Sequence, residues 1–150
     1  MEKVAQCLCG QFRAIVTAEP KSVAICHCMA CKRRTGSAFA YNAFYQIADV
    51  RLEGTFKVHV REGQEGRKGH RHFCAECGTT VYSKGEKFPG ICTVPVGAFA
   101  DPTFPAPLVS VFEESKHAWV VPPPGIEHYA QGRAPGAVRP EADQGHGAES

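Results

Sequence analysis

The sequence predicts one mainly β domain that contains only a few short helical turns. Its 150 residues are enough to bury one hydrophobic core. Apolar residues occur in short runs, several of which alternate with polar residues, as is typical of half-buried strands. Eight cysteines, most of them in tight groups, further indicate that bound metal holds part of the fold together.

Five strands are predicted in the first part of the chain, over residues 12–17, 22–25, 37–45, 50–52 and 55–61. The third strand is rich in aromatic residues, and a Glu-Gly pair separates the last two. In the last strand, Phe56, Val58 and Val60 alternate with polar residues, which predicts one buried face. Short helical turns are expected at residues 30–34 and 47–50.

A hairpin loop is predicted over residues 62–69, which contain three glycines and no apolar residue. Four further strands are predicted, over residues 69–73, 79–83, 91–96 and 108–112. Between the last two strands, the prolines at positions 102, 105 and 107 exclude a helix, because proline lacks a backbone N–H and fixes φ.

The folded domain is predicted to span residues 1–130. Trp119 comes just before a proline-rich run and is expected to plug the end of the core. In residues 131–150 the only large apolar side chain is that of Val138. Such a segment buries too little surface to offset its chain entropy, so we expect a disordered tail.

Composition excludes several classes of function. The formal net charge of +2 is too small to indicate a nucleic-acid partner. No stretch approaches the roughly 18–20 apolar residues that cross a bilayer, so no membrane partner is expected. The first residues lack the apolar segment of a secretory signal, which predicts a cytoplasmic protein.

Seven cysteines form three groups with the patterns C-L-C, C-H-C-M-A-C and C-A-E-C. Disulfide frameworks belong mainly to small exported chains, and cysteines one residue apart meet disulfide geometry poorly. A dithiol oxidoreductase would use the C-M-A-C segment, but its usual βαβ setting is not visible in this sequence. Close spacing suits tetrahedral zinc, so the sequence predicts zinc sites.

The first and third groups predict one closed site with four thiolates. A glycine follows each pair directly, and glycine permits the positive φ of a tight turn whose amides point at sulfur. We therefore expect a structural zinc that joins the N-terminus to the middle of the chain. Its ligands are Cys7, Cys9, Cys74 and Cys77.

The middle group, Cys26, Cys28 and Cys31, predicts an open site. It is followed by Lys32, Arg33 and Arg34, whose charges would offset the net negative charge of three thiolates around zinc. Three protein ligands leave one position open, which is typical of catalytic zinc.

Two residues compete for that fourth position. Cys92 lies in an apolar, strand-like run, where a free cysteine is more often a small buried hydrophobe. If it completed the group, both zinc sites would be closed. His27 lies between two ligands, and its side chain is expected to point away from the ion and to line a pocket or bond to the backbone.

These motifs resemble those of the glutathione-dependent formaldehyde-activating enzyme family, which has the Mss4-like fold and includes relatives of centromere protein V. The resemblance covers residues 3–121 and rests on C-x-C-G, C-H-C-x-x-C-x-x-x-T-G-S and F-C-x-x-C-G. Arg71, three residues before Cys74, and Val96-Gly97, before Asp101-Pro102, add to it. The resemblance implies the same two zinc sites, one structural and one catalytic, with two ions per chain.

The resemblance also implies a zinc-dependent carbon–sulfur lyase. A small thiol such as glutathione would bind at the open zinc, and a small carbonyl such as formaldehyde would form the S-hydroxymethyl adduct. The candidate pocket residues are His27, Lys32, Arg33, Arg34, Tyr41 and Tyr45. The alternative is a non-catalytic interaction module with the same zinc-bound fold.

Overall fold

The computed structural model describes residues 2–134, and in them the chain is mainly β, as predicted. The strands are β1 (Lys3–Gln6), β2 (Arg13–Val16), β3 (Ser22–Cys26), β4 (Ala40–Gln46), β5 (Val50–Glu53), β6 (Phe56–Glu62), β7 (Lys68–Cys74), β8 (Thr80–Gly85), β9 (Ile91–Pro95), β10 (Val109–Val111) and β11 (Glu127–His128). One α-helix, α1, spans Met29–Thr35. Short 3₁₀ turns span Ile47–Asp49, Gln64–Gly66, Val96–Phe99 and Glu113–Ser115.

The strands form two sheets. The smaller has the order β1-β2-β5 and is antiparallel throughout. The larger has the order β11-β10-β3-β4-β9-β8-β7-β6, with β10 parallel to both of its neighbours and antiparallel pairing elsewhere.

The hydrophobic core lies between one face of the larger sheet and the smaller sheet. Phe12 and Val16 meet Tyr45, Val81 and Val94 in one cluster of buried residues. Strand side chains alternate between two faces, so the residues next to these in β4 and β9 project to the opposite side of the larger sheet. That opposite side carries the site described below.

Helix α1 forms where the sequence predicts a helical turn. Cys28 is its N-cap and accepts a hydrogen bond from the Cys31 amide. Gly36 ends the helix with a φ of 70°, a left-handed conformation that glycine adopts at little cost. The helix therefore places two of the three clustered cysteines at its first turn.

The predicted strands occur in the structure, with shifted ends. The aromatic strand begins at Ala40 instead of residue 37, because the C-terminal cap of α1 and the turn after it occupy the preceding positions. The predicted loop over 62–69 is shorter, since β6 and β7 continue their pairing to Glu62 and Lys68. Strands β1 and β11 were not predicted; they are short, and pairing with their neighbours defines them.

Two expectations about burial were wrong. All residues of β6 are exposed, although the alternation at Phe56, Val58 and Val60 predicted a buried face. The strand lies at the edge of the larger sheet and pairs only with β7. Trp119 is 73% exposed and does not plug the core; its ring lies beside that of His117.

The predicted tail, residues 131–150, lies outside the described residues except for 131–134. Within these four residues, one backbone hydrogen bond and one buried side chain contact the rest of the domain. The Phe112 amide donates to the Gln131 carbonyl at 3.1 Å, and Arg133 is only 7% exposed. Between residues 2 and 134, no helix has the length and apolarity to cross a membrane.

Candidate metal centres and cavity

The structure brings Cys7, Cys9, Cys74 and Cys77 together, with all four sulfurs within 4.8 Å of one another. The Cys7 and Cys9 sulfurs are 3.6 Å apart, and the Cys9 and Cys74 sulfurs are 3.8 Å apart. Four sulfurs at about 2.3 Å from one ion in a tetrahedron would be roughly 3.8 Å apart. The spacing therefore fits a tetrahedral zinc site.

Two matching turns position these ligands. Gly10 and Gly78 both have positive φ, 85° and 82°, as the sequence predicted. The amide of each donates 3.0 Å to the carbonyl of Cys7 or Cys74, which closes the turn. Backbone amides then point at sulfur: the Glu76 amide donates to the Cys74 sulfur at 3.2 Å.

Gln11 supports this cluster, and the sequence analysis did not identify it. Its Nε2 donates to the Cys74 sulfur at 2.9 Å, and its Oε1 accepts from the Thr55 amide at 2.9 Å. On the other side, the Thr79 hydroxyl and amide lower the pKa of the Cys77 thiol to about 5. Donors of this kind favour thiolate, the form that binds metal.

The second cluster contains Cys26, Cys28 and Cys31, again with sulfurs within 4.8 Å of one another. Cys26 is the last residue of β3, and the other two cysteines lie at the start of α1. The Cys26 and Cys31 thiols, together with backbone amides, lower the pKa of Cys28. Three sulfurs this close together suit zinc, because zinc would bind all three as thiolates.

Arginine, more than lysine, supplies the positive charge beside this cluster. Arg34 Nη2 lies 3.8 Å from the Cys31 sulfur. Arg71 on β7 lines the same space, and the charges of Cys31 and Cys28 act on it. Lys32 donates instead to the Ser115 carbonyl, and Arg33 is exposed. Of the three cations predicted to offset the charge of the thiolates, Arg34 is therefore the one that lies beside a cysteine sulfur.

Neither candidate for the fourth ligand joins the second cluster. Cys92 is fully buried in the core, on the face of β9 opposite the cluster, and burial raises the pKa of its thiol to about 11. The interpretation of Cys92 as a buried hydrophobe is confirmed. His27 is fully buried, and its Nε2 lies 3.0 Å from the Ser110 hydroxyl.

The second cluster opens into a cavity of about 650 Å³ on the side of the larger sheet away from the core. Its walls come from α1, the strands of the larger sheet, the β6–β7 hairpin and residues 130–134, called the C-terminal segment below. Among the described residues, the carboxylate of Glu65 is the single acidic group in the lining, against the cations Arg34, Arg61, Arg67, Lys68, Arg71, Lys84, Lys87 and Arg133.

The sequence could not show that these cations share one cavity, because they come from distant segments of the chain. The predicted pocket residues Tyr41 and Tyr45 lie on the core face of β4 instead. Tyr41 donates 2.6 Å to the Pro105 carbonyl, and Tyr45 is buried among apolar side chains. Their neighbour Phe44 lines the cavity in their place.

The profile of one protein family, "Glutathione-dependent formaldehyde-activating enzyme", matches residues 2–115. The chain belongs to this family. Among solved structures, a Rhodobacter sphaeroides protein determined as a structural genomics target is similar, with 20% identity and a TM-score of 0.52. The match covers 84% of this chain and 98% of that protein, and it supports the fold. A search of curated proteins gives no significant match.

Family membership and the two cysteine clusters agree with the Mss4-like fold and with a zinc-binding protein of the glutathione-dependent formaldehyde-activating type. Arg133 lies outside the matched residues, although its side chain lines the same cavity as the second cluster.

Proposed function

We propose that this protein is a carbon–sulfur lyase that forms or cleaves the S-hydroxymethyl adduct of a small thiol such as glutathione with formaldehyde. One observation carries the proposal: a cluster of three cysteines, with no fourth ligand among the described residues, opens into a large cationic cavity. A closed four-cysteine cluster serves as the structural counterpart elsewhere in the fold. Two zinc ions per chain would occupy the two clusters.

The reaction needs no further reactant. In one direction, the thiol sulfur bonds to the carbonyl carbon, and the proton that leaves sulfur ends on the carbonyl oxygen. In the other direction, the carbon–sulfur bond breaks, and thiol and aldehyde are released. Bound between Cys26, Cys28 and Cys31, zinc would supply a Lewis acid that lowers the pKa of the thiol.

The residues of the chain bind and orient the thiol. The cationic lining attracts a substrate that carries carboxylates, because long-range attraction in a cleft raises the local concentration of anions. Arg34 and Arg71 stabilise negative charge on the sulfurs. Of the pocket residues first predicted, Arg34 keeps its role, and we propose Arg71 in place of Lys32, Arg33 and His27.

X-ray absorption at the zinc edge tests the open site. The loaded protein should average about 3.5 sulfurs per zinc, the mean of four and three, and glutathione should raise the average towards 4. Calorimetry with glutathione in buffers of different ionisation enthalpy should detect a released proton, because the thiol binds as thiolate.

Four sulfurs at each zinc before any thiol is added would contradict the lyase proposal. The non-catalytic interaction module would then describe the protein better. Formation of the adduct itself can be followed by NMR with ¹³C-formaldehyde and glutathione, with the Cys28→Ser variant as the inactive control.

A further inference from the structure

Arg133 places a guanidinium inside the protein. It is 7% exposed, and its Nη1 has no hydrogen-bond acceptor among residues 2–134. Burying an uncompensated charge is costly, so buried arginines normally pair with a carboxylate. Glu127 acts on Arg133 electrostatically, but its Oε1 accepts from the Tyr129 hydroxyl at 2.7 Å instead.

Aromatic rings hold this guanidinium in place at the wall of the cavity. Its central carbon lies 5.4 Å from the centre of the Phe44 ring and 5.9 Å from that of Phe88. All three side chains line the cavity into which the second cluster opens. Cation–π contacts stabilise the charge only in part, so the arginine keeps its capacity to bind an anion.

Lys87 adds a second cation at the same place. Its Nζ lies next to the backbone of Gly132, where a Cβ added to the glycine would come within 2.7 Å of it. The charges of Lys87 and Arg133 repel each other, and Cys26 also acts on Lys87. Glu65, the one acidic residue in the described lining, also acts on Lys87, but its carboxylate pairs with Arg67 at 2.5 Å. Two cations that face one cavity whose lining carboxylate is paired elsewhere form a preorganised anion site.

We propose that Arg133 and Lys87 bind a carboxylate of the thiol substrate while its sulfur lies at Cys26, Cys28 and Cys31. This inference rests on the proposed function and adds the two residues that bind a carboxylate of its thiol substrate. The C-terminal segment, beyond the residues that match the family, thereby supplies a specificity-determining residue.

Arg133 and Lys87 form the proposed carboxylate subsite. S-methylglutathione tests this subsite separately from the zinc chemistry, because it keeps both carboxylates of glutathione but has no thiol. Its affinity for the zinc-loaded, full-length protein is measured by calorimetry. We expect Arg133→Met and Lys87→Met each to weaken binding at least tenfold, and Arg133→Lys to weaken it less. Arg51→Met is the matched control, since Arg51 is exposed and outside the cavity; its affinity should equal that of the wild type.

The dimethyl ester of S-methylglutathione completes the test. It should bind the wild type at least tenfold more weakly than S-methylglutathione does. The Arg133→Met variant should bind this ester with almost the same affinity as the wild type does. Equal affinity of the wild type and Arg133→Met for S-methylglutathione would overturn the proposal. The proposal would also be overturned if esterification weakened binding by the same factor in the wild type and in Arg133→Met.

Thermal unfolding distinguishes binding from a structural role. Because Arg133→Met removes a buried charge whose Nη1 has no described hydrogen-bond partner, and keeps apolar length, its melting temperature should be unchanged or higher. A lower melting temperature, together with unchanged binding by Lys87→Met, would make Arg133 a structural residue and contradict the subsite. If S-methylglutathione binding depends on Arg133 but glutathione leaves the zinc sulfur count unchanged, the lyase proposal fails and the subsite stands.

Discussion

At the scale of single residues, the surroundings of each cysteine decide what it does. Hydrogen bonds from Thr79 lower the pKa of Cys77 to about 5, whereas burial raises that of Cys92 to about 11. Cys77 is therefore favoured as thiolate, the form that binds metal, whereas Cys92 packs as a small apolar side chain.

The two clusters should respond differently to the loss of a ligand. We expect Cys74→Ser or Cys77→Ser to unfold the domain, because structural zinc contributes on the order of 10 kcal/mol, which is comparable to the whole stability of a small domain. Cys28→Ser should stay folded, lose one zinc and lose activity. Circular dichroism and metal analysis of the purified variants measure both effects.

Cys92→Ala provides the control for these substitutions, since Cys92 belongs to neither cluster. It should retain both zinc ions and lose only packing energy. Equal loss of fold in the Cys74 and Cys28 variants would contradict the division into a structural and a catalytic site.

At the scale of elements, the turn between β5 and β6 connects the small sheet to the first cluster. Gly54 has a φ of 97°, and a Cβ there would lie 1.8 Å from the Gln11 carbonyl oxygen. The same Gln11 donates to the Cys74 sulfur. The close approach of two backbones, and not the turn alone, therefore requires glycine at this position.

Gly54→Ala should destabilise the domain on the order of 4 kcal/mol, because the backbone of Gln11 would have to move. Gly66→Ala is the matched control: its φ is also positive, 74°, but nothing lies within 4 Å of the added Cβ. We expect it to cost about 1 kcal/mol. Urea unfolding measures the free energy of unfolding of both variants. Similar decreases in the two variants would show that the positive φ, and not the contact with Gln11, causes the destabilisation.

At the scale of the whole molecule, the C-terminal segment forms part of the cavity wall. The amides of Phe112 and Glu114 donate to the carbonyls of Gln131 and Ala130. Arg133 then reaches the cavity from the end of this segment. The domain boundary predicted from composition, near residue 130, therefore lies next to residues that contact the rest of the domain, and it stays a prediction.

Two truncations test this boundary. Removing residues 135–150 should change neither melting temperature nor zinc content, because the sequence there contains one large apolar residue. Removing residues 130–150 should lower the melting temperature by several degrees, since Phe112 and Glu114 lose their backbone acceptors. Equal melting temperatures for both truncated proteins would show that residues 130–134 contribute nothing to stability.

The sequence alone determined the fold class, the grouping of seven cysteines into four and three, and the turns at Gly10 and Gly78. These features depend on local spacing: a cysteine pair followed by glycine specifies its own turn, and alternation specifies a strand. Only the tertiary structure decided which face of each strand is covered, as the exposed β6 and the core position of Tyr41 show. It also decided which distant cations share the cavity, because Arg71, Lys87 and Arg133 meet only after the sheet has formed.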